Sequence, residues 1–241
     1  MASGDVSGQE ESSLLPSDHR IPAFVDWLVA AAIALGGLGL LAGGSVLSIL
    51  DRDLLAEGIE SGEISIIVVE RELTEAEMLD FTLDIVSWTG IGLLVTGLSL
   101  LAFAIWFAVV RSRSRREGGD HPATSGRVFA VYGAVTTAVL SFIPFSPVLG
   151  SGLAGYLEAA TGGQTVRIGA ISGFLSTAPA LLILVFVTVG LYAGLAGVGE
   201  AALGLAVAVA MLFAVFFILA YGAGLGALGG FIGGRIADGR E

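Results

Sequence analysis

The sequence predicts an all-α integral membrane protein of about six membrane segments, one of them short or re-entrant, with a small acidic extracellular cap. Hydrophobic residues make up 55% of the 241-residue chain and charged residues 14%, against roughly 25% charged in an ordinary soluble domain. Mean hydropathy is +0.89. The charges are segregated: long apolar stretches hold almost none, and acids crowd the segment from Asp51 to Asp84. The 36 glycines fall largely inside the stretches that read as helices.

Residues 1–20, MASGDVSGQEESSLLPSDHR, read as a polar, disordered N-terminal tail. They lack the basic-then-apolar layout of a cleavable signal peptide. Residues 21–110 read as a two-span helical hairpin. A helix needs about 20 apolar residues to cross a hydrocarbon core of about 30 Å, and Trp27–Leu50 and Ile85–Val110 both supply them. The second helix has a legible start in LTEAEM, where Thr74 and Glu77 stand at capping-box spacing. Trp88 and Trp106 fall near its two ends, as aromatic interface anchors do. Between the spans, the external acidic segment 51–84 carries Leu54, Leu55 and Ile59 at helical spacing and the run ISIIVV from Ile64 to Val69. A wholly disordered loop has no use for these, so a small structured cap is expected.

Residues 111–127 form an Arg-rich loop with Arg111, Arg113, Arg115, Arg116 and Arg127. Positive residues in short loops stay in the cytoplasm, so these arginines set the topology: plasma membrane, multi-pass, N-terminus inside. Residues 128–241 read as a glycine-rich helical membrane domain. Its apolar stretches, Val128–Leu157, Ile168–Gly199 and Ala201–Gly234, are each longer than one span requires. As three tilted spans they would put Arg235 and Arg240 outside. A fold-back at Pro144 and Pro147 sends Val128–Ile143 out and Val148–Leu157 back, places Glu158 and Arg167 in a cytoplasmic turn, and returns the C-terminus inside. Proline lacks an amide hydrogen and disfavours helix in the residue before it. A single kinked helix is the competing reading, since transmembrane prolines are tolerated.

Small residues four apart let helix backbones touch in a membrane, where close packing drives association. Gly222, Gly226, Gly230 and Gly234 recur at that spacing in YGAGLGALGGFIGGR, a glycine zipper. Gly169 with Gly173, Gly190 with Gly194, and Gly39 with Gly43 are shorter versions. They predict packing within the chain, self-association or contact with another membrane protein.

Chemistry is harder to find. With no cysteines, disulfides, thiolate metal sites and cysteine nucleophiles are excluded. Asp26 lies at the inner edge of the first span and Glu200 in an outer turn, while the deep positions hold neutral Thr136, Thr137, Ser141, Thr188, Tyr192 and Tyr221. Carboxylate-coupled transport places ionisable groups deep, so it is not expected. His19 and His121 sit in polar segments apart from any metal-ligand set. No HEXXH, GXSXG or phosphate-cradling motif occurs. Asp51 and Asp53 could meet a hard cation, but helix-end solvation is the simpler reading. No catalytic residue, cofactor or metal site is expected, and nucleic acid is not an expected partner.

All 11 basic residues are arginine, against 22 acids. A strongly acidic, lysine-free chain fits a halophile, because carboxylates hold a hydrated surface in concentrated salt. At such ionic strength the Debye length falls to about 3 Å, so the acidic surface is not by itself a docking site.

Three phrases carry a family likeness: FIPFSPVLGSGLAGYLE, RIGAISGFLSTAP and YGAGLGALGGFIGG. Over about residues 127–235 the chain resembles a haloarchaeal multi-helix membrane family of unknown function. The resemblance implies a small helical membrane domain and assigns no site residues. The expected function is that of a non-enzymatic structural, accessory or self-assembling membrane component. The alternatives are a passive channel or transporter for a small neutral solute, and an extracellular cation or signal sensor.

Overall fold

A computed structural model describes residues 22–50, 52–60, 67–68, 71–117, 126–160 and 163–239. The tail at 1–20, Asp51 and both histidines lie outside the described residues. Among the described residues the chain is helical apart from the turns between helices and one short ladder. In order come α1 (Ala23–Ile49), α2 (Arg52–Glu60), β1 (Ile67–Val68), β2 (Arg71–Glu72), α3 (Glu75–Glu117), α4 (Gly126–Val139), α5 (Ser146–Ala159), α6 (Thr165–Gly197) and α7 (Ala201–Asp238). Four of them, α1, α3, α6 and α7, are long and apolar enough to cross a membrane.

The antiparallel pair β1–β2 matches Ile67 with Glu72 and Val68 with Arg71 and leads into α3. The start of α3 is the reciprocal cap that the sequence predicts. Thr74 N donates to Glu77 Oε2 at 3.0 Å, and Glu77 N donates to Thr74 Oγ1 at 3.4 Å. Below this cap, Leu55 of α2 and Leu73 join Met78, Leu79 and Phe81 of α3 against Leu195 and Val198 at the far end of α6. Arg52 pairs with Asp80 at 3.0 Å, with both side chains exposed.

The α1–α3 hairpin is antiparallel, and glycines set its spacing. The glycines that meet are Gly37 and Gly44 of α1 against Gly97 and Gly90 of α3. A methyl group at Gly37 would stand 2.9 Å from the carbonyl oxygen of Gly97, and one at Gly44 2.9 Å from that of Gly90. The expected pair Gly39 and Gly43 is on the wrong face: nothing lies within 4 Å of Gly39, and Gly43 makes only ordinary contact with Leu93. Seven residues is two helical turns, the heptad repeat of a helix seam. In GGLGLLAGG that repeat competes with the four-residue spacing, and both are present in the letters.

Residues 140–145 form a turn between α4 and α5. Pro144 is exposed within it, Phe145 holds a left-handed conformation with φ of 64°, and Pro147 lies in the first turn of α5. That is where a missing amide hydrogen costs nothing. The two helices run antiparallel. Thr137 Oγ1 donates to Ser146 O at 3.4 Å, a methyl group at Gly133 would stand 2.6 Å from Gly150 O, and one at Gly126 would stand 2.6 Å from Glu158 Oε2. Each has 14 residues, about 21 Å of helix, so both limbs are short where the sequence reading expected one. The tip is apolar and bare: Phe142 is 79% and Phe145 67% exposed.

The C-terminal half of α7 packs on α5 and α6 through glycine. A methyl group at Gly169 would stand 2.6 Å from the Cα of Gly230, one at Gly173 3.0 Å from that of Gly226, and one at Gly155 2.6 Å from that of Gly230. Backbones meet at these points.

Candidate functional site

At the end of the bundle where α1 begins and α3 finishes, three polar side chains converge on Asp26. The antiparallel hairpin brings the first turn of α1 beside the last turns of α3, and the start of α4 closes over both. Arg111 Nε donates to Asp26 Oδ1 at 2.9 Å. Arg115, one helical turn on, donates to Oδ2 from Nε at 2.9 Å and from Nη2 at 2.6 Å. Tyr132 of α4 donates its hydroxyl to Oδ1. Asp26, Arg111 and Tyr132 are buried, and Arg115 is partly exposed.

A charge taken from water is tolerated only when paired and hydrogen-bonded. Here one carboxylate accepts from two guanidiniums and a phenol, so both of its oxygens are used. The Tyr132 ring stands edge-on to Phe107 of α3 at 6.3 Å between centroids. The network therefore joins three helices from the two halves of the chain. Above it sits an apolar layer of Val29, Ala30 and Ile33 from α1, Ala104 and Phe107 from α3, and Phe129, Ala130 and Val131 from α4.

From the sequence alone, Asp26 reads only as an edge residue, and Arg111 and Arg115 only as topology signals. The signal that finds the network is the hairpin itself: an acid at the start of one span and arginines four apart at the end of the next must share one end of an antiparallel pair. The other arginines expected to set the topology, Arg113, Arg116 and Arg127, are exposed at the same end of the bundle.

The packing glycines divide between two partners. Gly222, Gly226, Gly230 and Gly234 of α7 are buried and face α5 and the start of α6, where Gly169 and Gly173 receive them. Gly190 and Gly194 face α3 instead: methyl groups there would stand 2.9 Å from the Cβ of Trp88 and 2.8 Å from Cδ2 of Phe81. Trp88 is thus drawn into the α3–α6 contact, with its ring 6.4 Å from that of Phe186, whereas Trp106 remains 57% exposed. Pro144 and Pro147 mark the turn and the start of α5. Among the described residues, no group of three His, Cys, Asp or Glu side chains is placed to hold a metal ion.

No curated protein and no solved structure matches this chain. Residues 128–236, which cover α4 to α7 almost completely, are similar to a family described as a family of unknown function, DUF5518; Tyr132 falls inside that region, and its partners Asp26, Arg111 and Arg115 fall before it.

Proposed function

We propose that the protein is a non-enzymatic integral membrane component, structural or accessory in role, of the plasma membrane of a halophilic archaeon. Four helices cross the bilayer and the α4–α5 hairpin enters it part-way from the cytoplasmic side. The arginine-rich end faces the cytoplasm under the positive-inside rule, with both termini there, and α2 with the β1–β2 ladder belongs to an acidic cap outside.

The observation that carries this reading is where the polar chemistry goes. The buried ionisable groups of the Asp26 network satisfy one another and tie helices together. The outer half of α7 is aromatic and bare: Leu212, Phe213, Phe216 and Phe217 are all more than 60% exposed. Lipid, a second copy of the chain or another membrane protein covers such a face.

Mild extraction with native lipid followed by native mass determination tests this. A self-associated species or a stoichiometric membrane partner is expected. A strict monomer that copurifies with nothing contradicts the accessory and self-assembling roles.

A further inference from the structure

Between the two halves of the molecule lies a cavity of about 480 Å³, within the size range of small-molecule sites. It exists because four helices form a ring that does not close. Among the described residues α3 packs on α1 and α6, and α6 on α4, whereas α1 and α4 meet over only a short stretch. Across the ring, the backbones of α1 and α6 do not approach one another, and α3 meets α4 only through side chains at the Asp26 end. Small residues keep the centre open, notably Ala134, Ala138 and Ala178. The apolar layer above Asp26 floors it, with Ile33 and Val131 belonging to both. Gly36 and Val139, on the two sides of the α1–α4 seam, line the cavity and are exposed. Access is therefore sideways, toward lipid.

The wall has a one-sided hydrogen-bonding character. Its polar side chains are Thr96, Ser99 and Ser176. Each already donates its hydrogen to its own helix: Thr96 to Gly92 O at 2.7 Å, Ser99 to Val95 O at 2.7 Å and Ser176 to Gly173 O at 2.8 Å. Thr96 is 1% exposed, so what the wall offers a guest is the lone pairs of Ser99 and Ser176. Pro179 also lines the cavity, inside α6. It has no amide hydrogen, so the carbonyl of Leu175, another wall residue, loses its usual donor four residues on. In lipid a backbone carbonyl deprived of its partner is costly. The wall is thus apolar and offers acceptors, so the complementary guest is apolar and brings a donor.

We propose that this cavity binds one lipid-dissolved alcohol, an apolar molecule with a single hydroxyl, which enters from the bilayer through the seam between α1 and α4. The hydroxyl donates its one hydrogen to the Leu175 carbonyl oxygen that Pro179 leaves without its helical donor, and the chain fills the space kept by the alanines. A ketone or ether of the same shape lacks the hydrogen this wall requires. The inference uses the membrane setting but not the accessory role, so its failure leaves that role untouched.

The full-length protein in nanodiscs is titrated with farnesol and with farnesyl methyl ether, which share a chain and differ in the donor hydrogen. Saturable binding of one farnesol is expected, about fivefold tighter than the ether, the worth of one ordinary hydrogen bond. Gly36→Leu fills the cavity from a position with open space around it and abolishes saturable binding. Gly39→Leu, equally open but outside the cavity, leaves it intact. Pro179→Ala restores the amide donor to Leu175 and brings the alcohol and ether affinities together. Equal wild-type affinities, which mark a groove for any acyl chain, overturn the proposal. So does unsaturable partitioning, or a Gly36→Leu protein that binds as wild type does.

Discussion

The two halves of the molecule use glycine on different spacings and to different depths. In the α1–α3 hairpin, Gly37 and Gly44 meet Gly97 and Gly90 at a seven-residue repeat, with leucines between them: Leu100 and Leu101 flank Gly37, and Leu94 flanks Gly44. In the α5–α6–α7 unit the repeat is four and backbone meets backbone, as at Gly169 with Gly230 and Gly173 with Gly226. The hairpin seam also meets backbone, at the carbonyl oxygens of Gly97 and Gly90, but its other neighbours are leucine side chains, which have rotamers with which to absorb part of an intrusion. A backbone-on-backbone contact has none. What joins the halves across the bundle is different again, a buried charge network at one end and side chains of α3 against α6 along the length.

This contrast predicts a ranking of substitutions. The largest effect is expected for Asp26→Ala, which leaves Arg111 buried with no carboxylate and costs about 3–5 kcal/mol; unfolding in a denaturing detergent, read by helicity, measures it. Next is Gly226→Leu, which forces α6 and α7 apart and costs roughly 3 kcal/mol or more, whereas Gly43→Leu, with space around it, costs far less. Equal losses at the two positions would contradict the assignment of Gly43 to a face turned away from α3. Tyr132→Phe removes one hydrogen bond to a charged group, worth about 2 kcal/mol. It loosens the link between the halves without harming either, so protease cleavage between α3 and α4 should rise while helicity holds. Thr74→Ala removes the cap of α3 and costs about 1 kcal/mol, confined to the end where α2 packs.

Much of this architecture is legible in the letters, for physical reasons. A span announces itself because lipid demands a continuous apolar run, and the Thr74–Glu77 cap is local in sequence. So is the α4–α5 turn, since proline acts on its own residue and the one before. The four-residue glycine repeat of α7 is equally local. What is not legible is pairing at a distance. Gly39 and Gly43 fit the four-residue rule as well as any pair, and only the face that α3 presents selects Gly37 and Gly44. Asp26 looks like an edge residue until the fold places Arg111, Arg115 and Tyr132 around it. The cavity depends on which helices fail to touch, and no local pattern encodes that.

In the proposed topology α4 and α5 enter the membrane from the arginine-rich side and return to it, with their tip in lipid. The chain has no cysteines, so single cysteines report without background. They are introduced at Ser114 near the end of α3, at Thr161 between α5 and α6, at Leu54 in α2 and at Phe142 at the hairpin tip, and labelled in sealed vesicles with a membrane-impermeant maleimide. The account predicts that Ser114→Cys and Thr161→Cys react from one side, Leu54→Cys from the other, and Phe142→Cys from neither. Labelling of Phe142→Cys from the Leu54 side, with Thr161→Cys reacting there too, would mean that the chain crosses once through 128–157, and would contradict the account.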